Sequence, residues 1–290
     1  MRYLFQFWDE VWEQVKKAKQ LVLFLDYDGT LTPIAAKPSM AQLPPRTRGI
    51  LEEISHHGFF RVAIISGRSL SEIKALIGLE GITYAGNHGL EIECSLRHCE
   101  GQSPKEIFFI HPIAIEFQPL LTKIEERLKE KLAGIDGILI EDKGLTLSVH
   151  YRLVKEGEVE KVKTLSHEAI STAEGHCASK AKQSHLLEVT EGKKVLEVKP
   201  VQWNKGKAIE WLLDIYGRQG SLPIFAGDDI TDEDGFKVIR KVGGISIFVG
   251  EEKVSSSANY YLSSLDELCC WLEKLSQSVE PFTSESFISS

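Results

Sequence analysis

Residues Leu21-Val22-Leu23-Phe24-Leu25 are apolar without a break, and they run directly into Asp26-Tyr27-Asp28-Gly29-Thr30. A strand with one wet face alternates apolar and polar residues. An unbroken apolar strand needs cover on both faces, as in a parallel sheet flanked by helices. The same grammar recurs in two separated blocks. In the first, a helical pattern at Arg46–Ser55 leads to a strand at Arg61–Ile65, a helix at Leu70–Ile77 and a strand at Ile82–Ala85. In the second, a helix at Lys205–Tyr216 leads to a strand at Leu222–Ala226, a helix at Asp232–Arg240, a strand at Ile245–Val249 and a helix at Asp266–Leu275. Alternation of this kind implies right-handed crossovers and an α/β fold with a Rossmann-like parallel sheet.

The segment between the blocks follows another rule. A strand at Ile107–Ile110 precedes a long charged helix at Ile115–Leu132. Runs Ile138–Ile140 and Leu145–Tyr151 read as a hairpin across Glu141-Asp142-Lys143-Gly144. A second charged helix covers Glu158–Glu174, and short strands Leu186–Val189 and Val195–Val198 flank a turn at Glu191-Gly192. Strands joined by tight turns beside two helices predict an antiparallel α+β insert. The expected division is a discontinuous core at 1–92 and 193–290, with the insert at 93–192.

A chain of 290 residues can bury a sizeable core. Its formal net charge of −8 offers no basic face and argues against nucleic acid as a partner. No apolar run approaches the ~18 residues that a membrane-spanning helix needs. The N-terminal stretch places Phe5, Trp8, Val11, Trp12 and Val15 at helical spacing, which predicts an amphipathic helix packed on the body. The five cysteines are odd in number and lack metal-ligand spacing; adjacent Cys269 and Cys270 fall in an apolar helical pattern and are expected in the core. Free thiols suit a reducing compartment, so a cytoplasmic location is expected. The Ser-rich tail after Leu275 is expected to fray.

Open α/β sheets bind ligands beyond the carboxyl ends of their strands. Four polar segments belong at that edge: Asp26-Tyr27-Asp28-Gly29-Thr30, Ser66-Gly67-Arg68, Asn204-Lys205-Gly206 and Gly227-Asp228-Asp229-Ile230-Thr231-Asp232. Two carboxylates about 4 Å apart repel by about 4 kcal/mol at an effective dielectric near 20. Bringing Asp26, Asp28, Asp228 and Asp229 together therefore calls for a hard cation, and Mg²⁺ suits an all-oxygen set. For Asp229 and Asp232 a helix-capping role is as good a reading as a metal role. Lys205 stands in the first turn of a helix, against the macrodipole, where a lysine with helix N–H groups suits a phosphate. The Ser66 hydroxyl and the Arg68 guanidinium offer phosphate contacts as well. Together these parts point to phosphoryl transfer, with an aspartate as nucleophile and a second acid two residues on to move protons. Neither a P-loop nor a dinucleotide fingerprint is present, which disfavours a kinase.

Asp-x-Asp-Gly-Thr with a later Gly-Asp-Asp resembles the haloacid dehalogenase (HAD) superfamily of phosphohydrolases. The run Asp26–Ile34, Ser66-Gly67-Arg68, Gly86-Asn87-His88-Gly89-Leu90-Glu91, His150-Tyr151-Arg152 and Gly227–Glu233 resembles its trehalose-6-phosphate phosphatase branch more closely. Leu196-Glu197-Val198-Lys199-Pro200 matches less fully, since the family more often has Arg at the place of Lys199. The resemblance implies a HAD core with a cap domain that closes over the sugar. It implies Asp26 as nucleophile and Asp28 as acid/base, with Ser66 and Lys205 on the phosphoryl group. It further implies Mg²⁺ held by the Asp26 carboxylate, the Asp28 carbonyl and Asp228. Asn87, His88, Arg152 and Glu197 are implied as substrate contacts. Read as residues, Arg152 and Glu197 also fit a cross-strand ion pair, and His150 a satisfied core histidine. Trehalose 6-phosphate is the expected substrate, with sucrose phosphate or a glycosyl-phosphoglycerate as alternatives, and a trehalose-phosphate synthase is a candidate partner. A phosphomutase, a non-catalytic sugar-phosphate sensor or a regulatory subunit of a synthase are the rival readings.

Overall fold

The computed structural model describes residues 1–96, 105–177, 187–251 and 255–286. They form two compact units, Met1–Phe108 with Lys205–Ser290, and Phe109–Asn204. In chain order the strands are β1 (Arg2–Tyr3), β2 (Gln20–Leu25), β3 (Phe60–Ile65), β4 (Thr83–Gly86), β5 (Glu91–Leu96), β6 (Lys105–Ile110), β7 (Leu139–Asp142), β8 (Leu147–His150), β9 (Leu187–Gly192), β10 (Val195–Pro200), β11 (Ser221–Gly227), β12 (Ile245–Val249) and β13 (Tyr260–Leu262). The helices are α1 (Trp8–Val15), α2 (Pro45–His56), α3 (Leu70–Ile77), α4 (Pro112–Leu132), α5 (Val159–Cys177), α6 (Lys205–Tyr216), α7 (Glu233–Lys241) and α8 (Leu265–Ser286). None among the described residues is long and apolar enough to cross a membrane.

The larger unit carries a nine-stranded sheet in the order β1-β13-β12-β11-β2-β3-β4-β5-β6. It is parallel from β1 to β4 and turns antiparallel at β5. This is the α/β architecture that the alternation of patterns implies. Every residue from Leu21 to Leu25 is buried, because both faces of β2 are covered. Leu21, Leu23 and Leu25 share a core with Leu51, Ile54, Trp271 and Leu272 from α2 and α8. On the opposite face, Phe225 of β11 meets Phe236 of α7 with ring centroids 5.2 Å apart. Register then sets the site. Leu25 lies opposite Ala226 and Ile64, so Asp26 follows at the level of Gly227 and Ile65, the last residues of β11 and β3. The Asp26 N–H still donates to the Ala226 carbonyl at 3.0 Å, holding the first aspartate at the strand end.

The smaller unit pairs four antiparallel strands as β7-β8-β10-β9. Its core joins Ile124 and Leu128 of α4 and Val162 and Ala169 of α5 to Leu147, Val149, Leu196 and Val198 of the sheet. Strand alternation sends Glu141, Ser148, Glu197 and Thr190 to the other face, where their register places them in one row across the sheet.

Several expectations are corrected. The seams fall at 108/109 and 204/205, not 92/93 and 192/193, because β5 and β6 extend the larger sheet and β10 pairs inside the smaller one. The tail does not fray after Leu275: α8 continues to Ser286, and Val279 is fully buried. The N-terminal helix is shorter than its pattern, since Arg2–Tyr3 pairs with β13 and Leu4–Phe7 forms a 3₁₀ turn. Its apolar face does pack on the core, with Val11 and Val15 buried and Trp8 and Trp12 stacked against the same cluster. The adjacent cysteines part ways: Cys269 is buried, whereas Cys270 is exposed and near Arg46. Successive helical residues point about 100° apart, so one of the two must leave the core.

Candidate active site

At the carboxyl edge of the sheet, Asp26, Asp228 and Asp232 bring carboxylate oxygens within 4.8 Å of one another, and all three are buried. Lys205 enters from the first turn of α6, itself 3% exposed. Its ammonium donates to Asp26 Oδ1 at 2.7 Å and to Asp232 Oδ1 at 2.6 Å. The other Asp232 oxygen accepts the backbone N–H groups of Asp228 and Asp229, each at 3.0 Å. Thr30 donates its hydroxyl to Asp228 Oδ1 at 3.2 Å. Two glycines make this crowding possible. A Cβ on Gly29 would lie 2.1 Å from an Asp228 oxygen, and Gly29 adopts φ +91°. A Cβ on Gly227 would lie 2.5 Å from the Asp232 carboxyl carbon.

Negative charge is concentrated within this cluster. Three buried carboxylates lie within reach of one another, and Lys205 pairs with two of them, Asp26 and Asp232. Burial holds the Asp26 carboxyl well above the usual carboxylate range, and Asp232 and Asp228 add to that shift while Lys205 opposes it. Burial alone would lower the Lys205 pKa, but Asp232 and Asp26 outweigh it and keep the ammonium charged. The donors are all oxygen and lie within 4.8 Å of one another, so the residues fit Mg²⁺. Asp232 has both oxygens committed, to Lys205 and to two backbone N–H groups.

The remaining expected residues are placed as follows. Asp28 turns away from the acidic cluster and forms a fork with Arg68, at 2.6 Å to Nε and 2.8 Å to Nη2. Arg68 also bonds Glu72 and the Pro38 carbonyl. Ser66 is buried at the end of β3, and its hydroxyl accepts the Arg68 N–H at 3.2 Å. Asn87 and His88 form a tight turn with φ +48° and +57°, a costly conformation for residues with side chains. Their N–H groups donate to the Arg68 and Ser66 carbonyls at 2.6 and 2.8 Å, tying the end of β4 to that of β3. The Asn87 amide donates to Glu91 at 2.7 Å, and the same Glu91 oxygen accepts the first N–H of α3. Asp229 is a cap: its Oδ1 accepts the Ile230 N–H at 2.7 Å, and Asp232 sits in the metal-sized cluster in its stead.

In the smaller unit, Glu197 is 8% exposed and accepts from Lys143 at 3.3 Å, while Arg152 donates to the Lys193 carbonyl at 2.8 Å. His150 is not a core histidine. It is half-buried and bonds Glu141 at 2.8 Å.

Sequence reasoning passed over Thr30, Glu72 and Glu91 and left Asp232 open. Glu72 was detectable, since it lies four residues past Arg68 on a helix capped by Ser69. Thr30 carries no local signal, because its partner Asp228 lies 198 residues away, and Glu91 is recognised only through its joint hold on Asn87 and the start of α3.

The family model for trehalose-phosphatase matches residues 24–267 of this chain. A probable trehalose-phosphate phosphatase D from Arabidopsis thaliana is 37% identical over 268 residues, covering 90% of this chain and 69% of that protein. Trehalose 6-phosphate phosphatase RA3 from Zea mays is 36% identical over 267 residues, with coverage of 89% and 70%. The C-terminal domain of a C. albicans trehalose-6-phosphate phosphatase superposes with a TM-score of 0.75 at 21% identity, covering 93% of this chain and 96% of that one. At that identity the likeness speaks for the fold.

Proposed function

Because the chain belongs to the trehalose-phosphatase family, we propose that it hydrolyses trehalose 6-phosphate to trehalose and phosphate through a covalent intermediate on Asp26. One observation carries the reading: a buried aspartate at a strand end, held by a buried lysine and with its carboxylate within 4.8 Å of those of Asp228 and Asp232. An Asp26 oxygen attacks phosphorus, and the bond from phosphorus to the sugar oxygen breaks. Asp28 gives a proton to the departing alcohol. It then takes one from a water that attacks the aspartyl-phosphate, releasing phosphate and restoring Asp26. Lys205 orients Asp26 and offsets the charge on the transferring oxygens, with Ser66 as a further hydrogen-bond donor. Asp26 and Asp228 would hold Mg²⁺, which would supply Lewis-acid charge to offset that of the nucleophile and the phosphate. In this reading Arg152 and Glu197, with the polar row of the smaller unit's sheet, serve the sugar. Glu141, Ser148, Glu197 and Thr190 offer acceptors and hydroxyls, and Ser148 Oγ and Thr190 Oγ1 are buried without a hydrogen-bond partner.

The test is phosphate release from trehalose 6-phosphate, sucrose phosphate and a glycosyl-phosphoglycerate, each with Mg²⁺ and with chelator. Expected is Mg²⁺-dependent release that favours trehalose 6-phosphate and vanishes in Asp26→Asn. Near wild-type turnover by Asp26→Asn would remove the nucleophile assignment. A preference for another sugar would keep the chemistry and change the substrate.

A further inference from the structure

Arg68 has the composition of a phosphate ligand, but its guanidinium is already spent. Nε donates to Asp28 Oδ2, Nη2 to Asp28 Oδ1 and the Pro38 carbonyl, and Nη1 to Glu72. Four of its five N–H groups are thereby engaged. The side chain is 6% exposed, and the Tyr27 ring lies 5.5 Å from the guanidinium carbon. The backbone is held too, through Ser66 Oγ and the Asn87 N–H. Asp28, at 38% side-chain exposure, is the freer member of the pair. The buried partner therefore sets the geometry of the more exposed one, and a two-point fork restricts a carboxylate in both direction and rotation.

We propose that Arg68 is a positioning residue that aims the Asp28 carboxylate, with Glu72 and the Pro38 carbonyl bracing it, and that it does not bind the phosphoryl group. The proposal rests on the reading of Asp28 as the group that exchanges protons with leaving alcohol and water. Loss of a phosphate ligand raises KM and weakens product inhibition. Loss of a bracket behind an acid/base group lowers kcat and leaves affinity alone.

The experiment is a double-mutant cycle on the full chain with saturating Mg²⁺ and trehalose 6-phosphate, using Arg68→Ala, Asp28→Asn and both together, with inorganic phosphate as inhibitor. Proton transfer by a positioned side chain contributes about 10²–10⁴-fold, so Arg68→Ala is expected to lose about tenfold or more in kcat. KM and the phosphate inhibition constant are expected to stay within about threefold, since neither rests on Arg68. In the Asp28→Asn background Arg68→Ala should cost nothing further. Added guanidinium ion should restore part of kcat to Arg68→Ala and none to the double variant. Should Arg68→Ala fail to fold, Glu72→Gln carries the test, with a smaller fall in kcat at unchanged KM. A tenfold weaker phosphate inhibition at retained kcat would overturn the proposal, as would equal losses in both backgrounds. Wild-type turnover by Asp28→Asn would instead remove the acid/base reading, and the proposal with it.

Discussion

Gly29 and Lys205 show how single residues set the limits of the acidic cluster. Gly29 combines φ +91° with a near contact to Asp228, so an added methyl group meets both backbone strain and a carboxylate. Gly29→Ala is expected to destabilise the protein by roughly 2 kcal/mol and to displace Asp228. Thermal melting reports the first effect and a Mg²⁺ titration of the melting temperature the second. Lys205 pairs with both Asp26 and Asp232 in the acidic cluster. Lys205→Ala takes the ammonium away from these two buried carboxylates, and breaking a buried pair typically costs about 3–5 kcal/mol. The variant should melt well below wild type with chelator. Mg²⁺ should recover more stability in it than in wild type, because a ligand that binds only the folded form adds RT ln(1 + [L]/Kd).

At the scale of elements, the ends of strands and helices matter more than their middles. α3 begins at Ser69, whose hydroxyl accepts the Glu72 N–H, and ends at Gly78 with φ +58°. Those caps place Arg68 just before the helix and Glu72 in its first turn, which is how a helix start comes to brace a loop. α8 illustrates the opposite end of a pattern. Ser-rich composition after Leu275 suggested a loose tail, yet Ser276 donates to Glu53 and Val279 is fully buried. Ending the chain after Leu275 removes that burial and that bond, at an expected cost of about 2 kcal/mol. Chemical denaturation of the shortened chain checks the value, and an unchanged midpoint would show that the last turns of α8 add nothing.

Across the whole molecule, burial leaves an alkaline signature. Tyr27 and Tyr84 are buried in the larger unit, and burial pushes each phenol up to about 12. Tyr27 donates to the Ala41 carbonyl at 3.0 Å and Tyr84 to the Leu79 carbonyl at 2.7 Å, so both are held neutral. The sign follows from linkage. An unfolded phenol ionises near 10, so these groups contribute their full stability below that pH and lose it as pH rises toward about 12. Denaturation midpoints should fall steeply between about pH 10 and 12. Tyr27→Phe should be less stable at neutral pH by about 1 kcal/mol, for the lost hydrogen bond, and show a shallower alkaline fall.

Local pattern was enough for the α/β class, for most helices and strands, and for the residue types at the carboxyl edge. Apolar continuity and periodicity are properties of neighbouring residues, and the Asp26 and Asp228 motifs sit directly behind the strands that present them. Pattern was not enough for the seams between units, because β6 and β10 look alike as strings and differ only in which sheet pairs with them. Nor could it divide the polar residues among roles. Asp229 and Asp232 share one short segment, and register with β2 sends one to a cap and the other to Lys205. Asp28 and Arg68 lie 40 residues apart and become a fork only when β2 and β3 align. A carboxylate's role is set by what stands within about 3 Å of it, the reach of a hydrogen bond, and that distance is decided by packing between segments remote in the chain.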